Sequence, residues 1–284
     1  MSLQLTTSNH NRDIAGLRYV YPVLSRRAGG LSIGINLNPN NACNWRCIYC
    51  QVPGLTRGTA PDIDLALLAT ELRGFLDYVQ SGEFYRDFKV EAAQQCIKDV
   101  AISGNGEPSS VKNFAEVIHL LGDIASSAGI FPAAKFVLIS NGSLIQQSNV
   151  QEGLRALAQY QGELWFKLDS ASFAGRKLVN NTVLGQARLL EHLKIARALC
   201  PTKLQTCMLQ YRGQLWTASE KQAYLELLKA LPAAGILIRQ IMLYSIARQS
   251  FQPEADELQA MPLAEMQAFA DQISALGYQV SVSA

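Results

Sequence analysis

The stretch LSIGINLNPNNACNWRCIYC, residues 31–50, opens on an apolar, strand-like run over 31–37 and closes on Cys43, Cys47 and Cys50. Three of the chain's six cysteines thus stand within eight positions, in the loop that follows the first predicted strand. Outward from there, strand-like runs recur at 98–104, 135–140, 164–169, 203–209 and 236–244, with 278–283 as a candidate seventh. Helical stripes fall between them: Leu65, Leu68, Leu72, Phe75, Leu76 and Val79 share one face, and Val117, Ile118, Leu121 and Ile124 share another. Thr217 with Glu220 reads as a capping box opening a helix that runs to Leu231 and stops at Pro232, and Gly277 reads as the cap of a helix over 264–276. The alternation predicts parallel βαβ units, either in an open doubly wound sheet or in a curved, incomplete barrel. In both, function gathers at the carboxyl ends of the strands, where the cysteine loop lies.

With 284 residues, 49% of them apolar and 17% charged, the chain suits one domain with a large core and does not fit a disordered class. A net charge of +2 without long basic runs lacks the footprint of a dedicated nucleic-acid binder, although a basic patch made by the fold stays open. No stretch approaches the roughly eighteen uninterrupted apolar residues of a membrane span, and the start MSLQLTTSNHNRD is polar where a signal peptide is greasy. A cytoplasmic protein without a membrane partner is expected, with its cysteines as thiols or metal ligands.

A closed structural zinc site needs four ligands, and the nearest other Cys or His in sequence are Cys96 and His10. Three thiolates suit instead an iron–sulfur cluster that leaves one iron open to substrate or cofactor. Zinc, or a passive iron–sulfur carrier, stays as the non-enzymatic alternative. At the second strand's end, in SGNGEP (103–108), the glycines let the backbone approach a ligand and Glu107 offers an acceptor to a positive group; the alternative is a plain turn. In SNGS (140–143), Asn141 has the groups to bond a ribose and Gly142 leaves room for it. Lys167 and Asp169, two apart, share one side of their strand with Trp165, so they face the site or form a surface salt bridge. Tyr244 and Arg248 end the sixth strand as an adenine platform and a carboxylate partner, or as a core tyrosine and a solvated arginine. Cys207 is a buried apolar residue or a thiol hydrogen-atom donor, and His119 and His192, on predicted helices, are surface or satisfied core residues.

C-x3-C-x2-C after the first strand, with Tyr49 before the last cysteine, resembles the radical S-adenosylmethionine (radical SAM) enzymes. The stretch SRRAGGLSIGINLNPNNACNWRCIYCQ, residues 25–51, with SGNGEP and KLDS, is similar to the subgroup placed with the wyosine-type tRNA base-modifying synthases. The resemblance implies an α/β fold, an incomplete (β/α)6 barrel over 25–284 behind an N-terminal extension, 1–24. It implies one 4Fe–4S cluster on Cys43, Cys47 and Cys50, whose open iron is chelated by S-adenosylmethionine. An electron from a donor such as flavodoxin or ferredoxin then cleaves the sulfonium, and a 5′-deoxyadenosyl radical takes a hydrogen atom from substrate. In this scheme Tyr49, Gly104, Asn105, Gly106, Glu107, Pro108, Ser140, Asn141 and Tyr244 hold the cofactor, with Glu107 on its amino group. Lys167 and Asp169 touch cofactor or substrate, and Cys207 is the candidate hydrogen-atom donor. The implied substrate is a tRNA or nucleoside, with a peptide, protein or small metabolite as the alternative. One departure is plain: the wyosine-building synthase is expected to carry a second cluster, whereas Cys96 and Cys200 here precede strands, at the rim opposite Cys207, so a single cluster is expected.

Overall fold

The computed structural model describes residue 5 and residues 15–25, 29–214 and 216–283; His10, Arg26 and Arg27 lie outside the described residues. The strands of the main sheet are β1 (Val20–Ser25), β2 (Gly30–Ile35), β3 (Ile97–Ile102), β4 (Lys135–Ser140), β5 (Glu163–Lys167), β6 (Thr202–Tyr211), β7 (Gln240–Ser245), β8 (Leu258–Ala260) and β9 (Gln279–Ser283). Between them run α1 (Leu65–Gln80), α2 (Phe114–Ser127), α3 (Ser148–Gln159), α4 (Phe173–Asn180), α5 (Gln186–Leu199), α6 (Ala218–Ala233) and α7 (Leu263–Ser274). Strands β1 to β7 pair in chain order, β9 follows β7, and β8 pairs off the path with the end of β6. From β2 to β9 along this path every pairing is parallel, and the sheet curls into an open half-barrel. The predicted partial barrel and its six parallel strands are thus present, and β9 is the seventh.

Alternation along the strands divides the two faces. Ile33, Ile35, Val100, Ile102, Phe136, Leu138, Leu164, Phe166, Leu204, Ile241 and Leu243 pack under the helices in one core, which also takes the buried stripes of α1 and α2. Trp165, Lys167, Gln205 and Cys207 occupy the opposite parity on β5 and β6, and a second small cluster of Ile48, Tyr49, Val179, Cys207 and Leu209 forms there. No helix among the described residues is long and apolar enough to cross a membrane.

Several boundaries differ from the sequence reading for local reasons. Strand β1 has no counterpart among the predicted strands; its Pro22 is tolerated since β1 is an antiparallel edge strand, paired among the described residues with β2 alone. This strand runs across the boundary drawn between residues 24 and 25. Residues 236–239 lie outside β7. Helix α6 continues past Leu231 with Pro232 inside it. The Leu228 carbonyl, which Pro232 has no N–H to serve, accepts instead from Tyr278 Oη at 2.6 Å. His119 is exposed as expected, but His192 is neither surface nor satisfied core: it is buried, and the Gly142 backbone lies close to its ring outside hydrogen-bond geometry. Burial pushes its pKa down and keeps the ring neutral.

Glu71 on α1 fastens the approach to β1. Its buried carboxylate accepts from the backbone N–H groups of Arg18 at 2.8 Å, Tyr19 at 2.8 Å and Val20 at 3.3 Å. Glu71→Leu would orphan these donors, and a loss of about 3 kcal/mol in urea unfolding, with an unchanged denaturant slope, is the expected outcome.

Candidate active site

The cysteine loop is seated on the loops that follow β3 and β4. Asn36 Oδ1 accepts from Asn38 N at 3.1 Å and Asn105 N at 3.0 Å, Asn38 Nδ2 donates to Ala42 O at 3.0 Å, and Asn105 Nδ2 to Asn41 Oδ1 at 2.6 Å. The glycines of SGNGEP let the loops of this seat approach: a Cβ on Gly104 would lie 2.2 Å from Asn36 Oδ1, and one on Gly106 2.0 Å from Ala42 O. Gly142 likewise makes room for Phe166, whose Cε2 would lie 2.1 Å from an added Cβ.

Glu107 faces inward and is 2% exposed. Its carboxylate accepts from Ser109 N at 3.1 Å, Ser109 Oγ at 2.6 Å, Ser140 Oγ at 2.6 Å and Asn141 N at 2.7 Å. Burial pushes its pKa up, against the lowering effect of the bonds from Ser109, Ser140 and Asn141. The group expected to offer a free acceptor is therefore, as folded, a pin between two loops, and Pro108 opens the short turn, Pro108–Ser110, that it caps. Asn141 extends the pin to the cysteine loop, donating through Nδ2 to Asn44 Oδ1 at 2.9 Å, while Asn44 Nδ2 donates to Ser143 Oγ at 2.7 Å.

Lys167 and Asp169 meet beneath the cysteine loop, so the pair is not a surface salt bridge. Their charged atoms are 3.3 Å apart, with the Asp169 side chain 0% and that of Lys167 16% exposed. Tyr49 Oη donates to Asp169 Oδ2 at 2.5 Å, and Lys167 Nζ donates to Tyr49 Oη and, at 3.3 Å, to Tyr244 Oη. The register sets Lys167 opposite Gln205 and Cys207 opposite Tyr244, and Cys207 N donates to Asp169 Oδ1 at 2.9 Å. Burial alone would push the Lys167 ammonium down. The Asp169 carboxylate, ahead of the surrounding phenols and thiols, more than offsets this and holds the lysine well above its ordinary range. Burial pushes Tyr49 and Cys207 up, so both stay protonated. Arg248 is exposed on the loop beyond β7, and its carbonyl accepts from Gln51 Nε2 at 3.3 Å.

The loop behind Asp169 is held by a residue that the capping box assigned elsewhere. Thr217 Oγ1 accepts from Glu220 N at 3.2 Å as that motif requires, but the Glu220 carboxylate reaches Ser170 Oγ at 2.6 Å, Ala171 N at 3.0 Å and Ser172 Oγ at 2.6 Å. Buried Arg176 closes the same loop through Ala171 O at 2.7 Å and Leu184 O at 3.1 Å.

Sequence reasoning also missed Asn180, whose Nδ2 lies 3.2 Å from Cys47 Sγ and 2.6 Å from Asp169 Oδ2. The only signal was the Asn180–Asn181 pair: Asn181 caps α4 in the left-handed region, at φ 51°. The cysteine loop has further ties. Ile48 N donates to Val179 O at 2.9 Å, Ser250 Oγ to Ile48 O at 2.8 Å, Phe251 N to Cys50 O at 2.9 Å, and Arg46 forms a forked pair with Glu254, both bonds 2.7 Å. The Glu254 carboxyl is held below the usual range by its bond to Arg46. Because the pair is partly exposed, Glu254→Gln should cost only about 0.5 kcal/mol. A depressed carboxyl contributes stability above its unfolded value and loses it on acidification. The difference between wild type and variant should therefore be steady near neutrality and vanish as pH falls below the ordinary glutamate range, in urea melts at a series of pH values.

Among the described residues, no three Cys, His, Asp or Glu side chains are gathered closely enough to hold a metal ion. A cubane cluster spreads its ligands wider than a single ion does, and the donor set fits one. Cys43, Cys47 and Cys50 lie on one loop, where Cys43 senses the charge of Cys50 and Cys47 that of Cys43. Burial pushes the thiols of Cys43 to about 11 and Cys47 to about 12, so thiolates there need a positive partner. N–H groups already point at two sulfurs, from Trp45 N to Cys43 at 3.4 Å and from Asn180 Nδ2 to Cys47. Cys96 and Cys200 lie at the starts of β3 and β6, while Cys207 is in the site beside Asp169.

An open parallel half-barrel with this loop after its first parallel strand has the fold of the radical SAM enzymes. Solved structures bear the likeness out. TYW1 with a lysine–pyruvate adduct bound matches at a TM-score of 0.55 and 16% identity, over 86% of this chain and 73% of that one. A radical SAM methyltransferase from Sphaerobacter thermophilus matches at 0.56 and 12%, over 95% and 70%. A third, anSMEcpe with bound AdoMet, matches at 0.52 and 12%, over 88% and 62%. Among curated proteins, the UPF0026 protein of Helicobacter pylori is 30% identical over 135 residues, which span 47% of this chain and only 38% of that relative. No family model matches.

Proposed function

We propose that the chain is a radical SAM enzyme that reductively cleaves S-adenosylmethionine at a 4Fe–4S cluster held by Cys43, Cys47 and Cys50. The observation that carries this reading is the position of Cys47, one amide away from the buried Lys167–Asp169 pair. When bound, the cluster and S-adenosylmethionine supply the hard chemistry, an electron that splits the sulfonium and a carbon radical that takes a hydrogen atom from substrate.

The chain's own residues hold, orient and shield. Lys167, kept protonated by Asp169, offers a fixed cation to a carboxylate or another anionic group, with Tyr49 and Tyr244 fixing its direction. A covalent lysine adduct of the kind named for TYW1 needs a neutral amine, which this pairing opposes. Cys207 keeps its proton and lies against Tyr49, where a hydrogen-atom donor is useful. One electron per turnover would come from flavodoxin, ferredoxin or a carrier of that kind. A tRNA or nucleoside substrate rests on the family resemblance. Around the rim, Arg46 and Arg212 are engaged by Glu254 and Glu257, and Arg57 by the carbonyls of Asn44 and Asn181.

The test is 5′-deoxyadenosine formation by anaerobically reconstituted protein with S-adenosylmethionine and a strong reductant, beside iron and sulfide analysis. Zinc without iron in a colourless protein would sink the reading. If a tRNA is the substrate, its binding should weaken steeply with salt; salt-insensitive or absent binding removes that substrate class.

A further inference from the structure

Asn180 ends α4 and is 1% exposed. Its Nδ2 reaches two acceptors, the Cys47 sulfur at 3.2 Å and the Asp169 carboxylate at 2.6 Å. Its Oδ1 is buried without a hydrogen-bond partner among the described residues. Turning the amide over would set that oxygen against the Asp169 carboxylate, which has nothing to donate, and against a sulfur that as a cluster ligand has nothing to donate either, so the acceptors decide the orientation. The orphaned oxygen is the cost of keeping the NH2 group on both, and native proteins rarely carry such a group without a use for it. The backbone repeats the connection. Arg46 N donates to Asn180 O at 3.3 Å, Ile48 N to Val179 O at 2.9 Å, and Asn181 Nδ2 to Arg46 O at 2.8 Å.

We propose that Asn180 is a positioning residue that ties the Cys47 sulfur to Asp169 and raises the reduction potential of the cluster that Cys47 holds. The inference rests on the reading of the three cysteines as cluster ligands. A hydrogen bond given to a ligand sulfur draws electron density from it and so favours the reduced, more negative cluster over the oxidised one. The same amide fixes Asp169, and through it the ammonium of Lys167, at a set place relative to the cluster.

The experiment is a redox titration followed by electron paramagnetic resonance on the reconstituted full chain. Wild type would be compared with Asn180→Leu and Asn180→Ala, with iron and sulfide measured per chain. Both variants should keep their clusters and titrate at a more negative potential; a tenfold loss of preference for the reduced state reads as about 59 mV in a one-electron couple. Asn180→Ala removes the donor without adding bulk, so it decides the matter if the leucine variant does not fold. Fully loaded variants at the wild-type potential would overturn the inference and leave the proposed function standing. A wild type that binds no iron and sulfide would overturn both.

Discussion

Cys47→Ala is expected to retain less than about a tenth of the wild-type iron and sulfide after anaerobic reconstitution, since losing a ligand should cost at least the 10–100-fold typical of losing a ligand's outer partner. Its 5′-deoxyadenosine should fall to the level of a no-enzyme control. Cys47 accepts from Asn180 and packs against the cluster of Ile48, Tyr49, Val179 and Cys207. Cys43→Ala and Cys50→Ala should behave alike. Cys200→Ala is the control: its thiol is buried in the main core by the start of β6, where it donates to Gly162 O at 3.6 Å, and iron content should be unchanged. Equal iron in all four variants would remove the three-thiol site.

Asp169→Ala should be the most destabilising single change in the site, by about 3–5 kcal/mol in urea unfolding, because it leaves a buried cation without its partner. Tyr49 Oη, Asn180 Nδ2 and Cys207 N lose an acceptor at the same stroke. Adding Lys167→Met should restore about 2 kcal/mol by removing the stranded charge, and the rest should stay lost with those donors. The pH response has a definite sign. In wild type the raised Lys167 pKa contributes stability below the ordinary lysine range that is lost as pH rises through the folded value. In Asp169→Ala the largest raising influence is gone and burial is opposed only by the neighbouring phenol and thiols, so the folded pKa should fall and the variant should lose less stability than wild type as pH rises. A variant that weakens with rising pH as steeply as wild type would contradict the placement of Lys167 in an enclosed site.

What the sequence disclosed follows the range of the interactions involved. Parallel strands such as β4, read at its observed bounds of 135–140, are short apolar runs set by local pattern. The period of two placed Lys167 and Asp169 on one face before any contact was known. The cysteine spacing carried the loop. Less legible was the direction of a side chain: Glu107 stands in the expected motif, yet it turns toward Ser140 and Asn141, some 33 and 34 residues on. Glu220 opens a helix in sequence and serves a loop 50 residues earlier in space. Asn180 meets Cys47 across 133 residues, and nothing local to either announces the other. Strand β1 carries a proline that its edge position tolerates.

The fastening of the cysteine loop also has an order in time. Ser250 and Glu254, which close over Ile48 and Arg46, lie 202 and 208 residues further along the chain than the groups they hold. A chain emerging from the ribosome therefore presents its three thiols on an unlatched loop until those residues have been made. During that interval they are more open to cluster delivery, and equally to oxygen, than once the latch has closed.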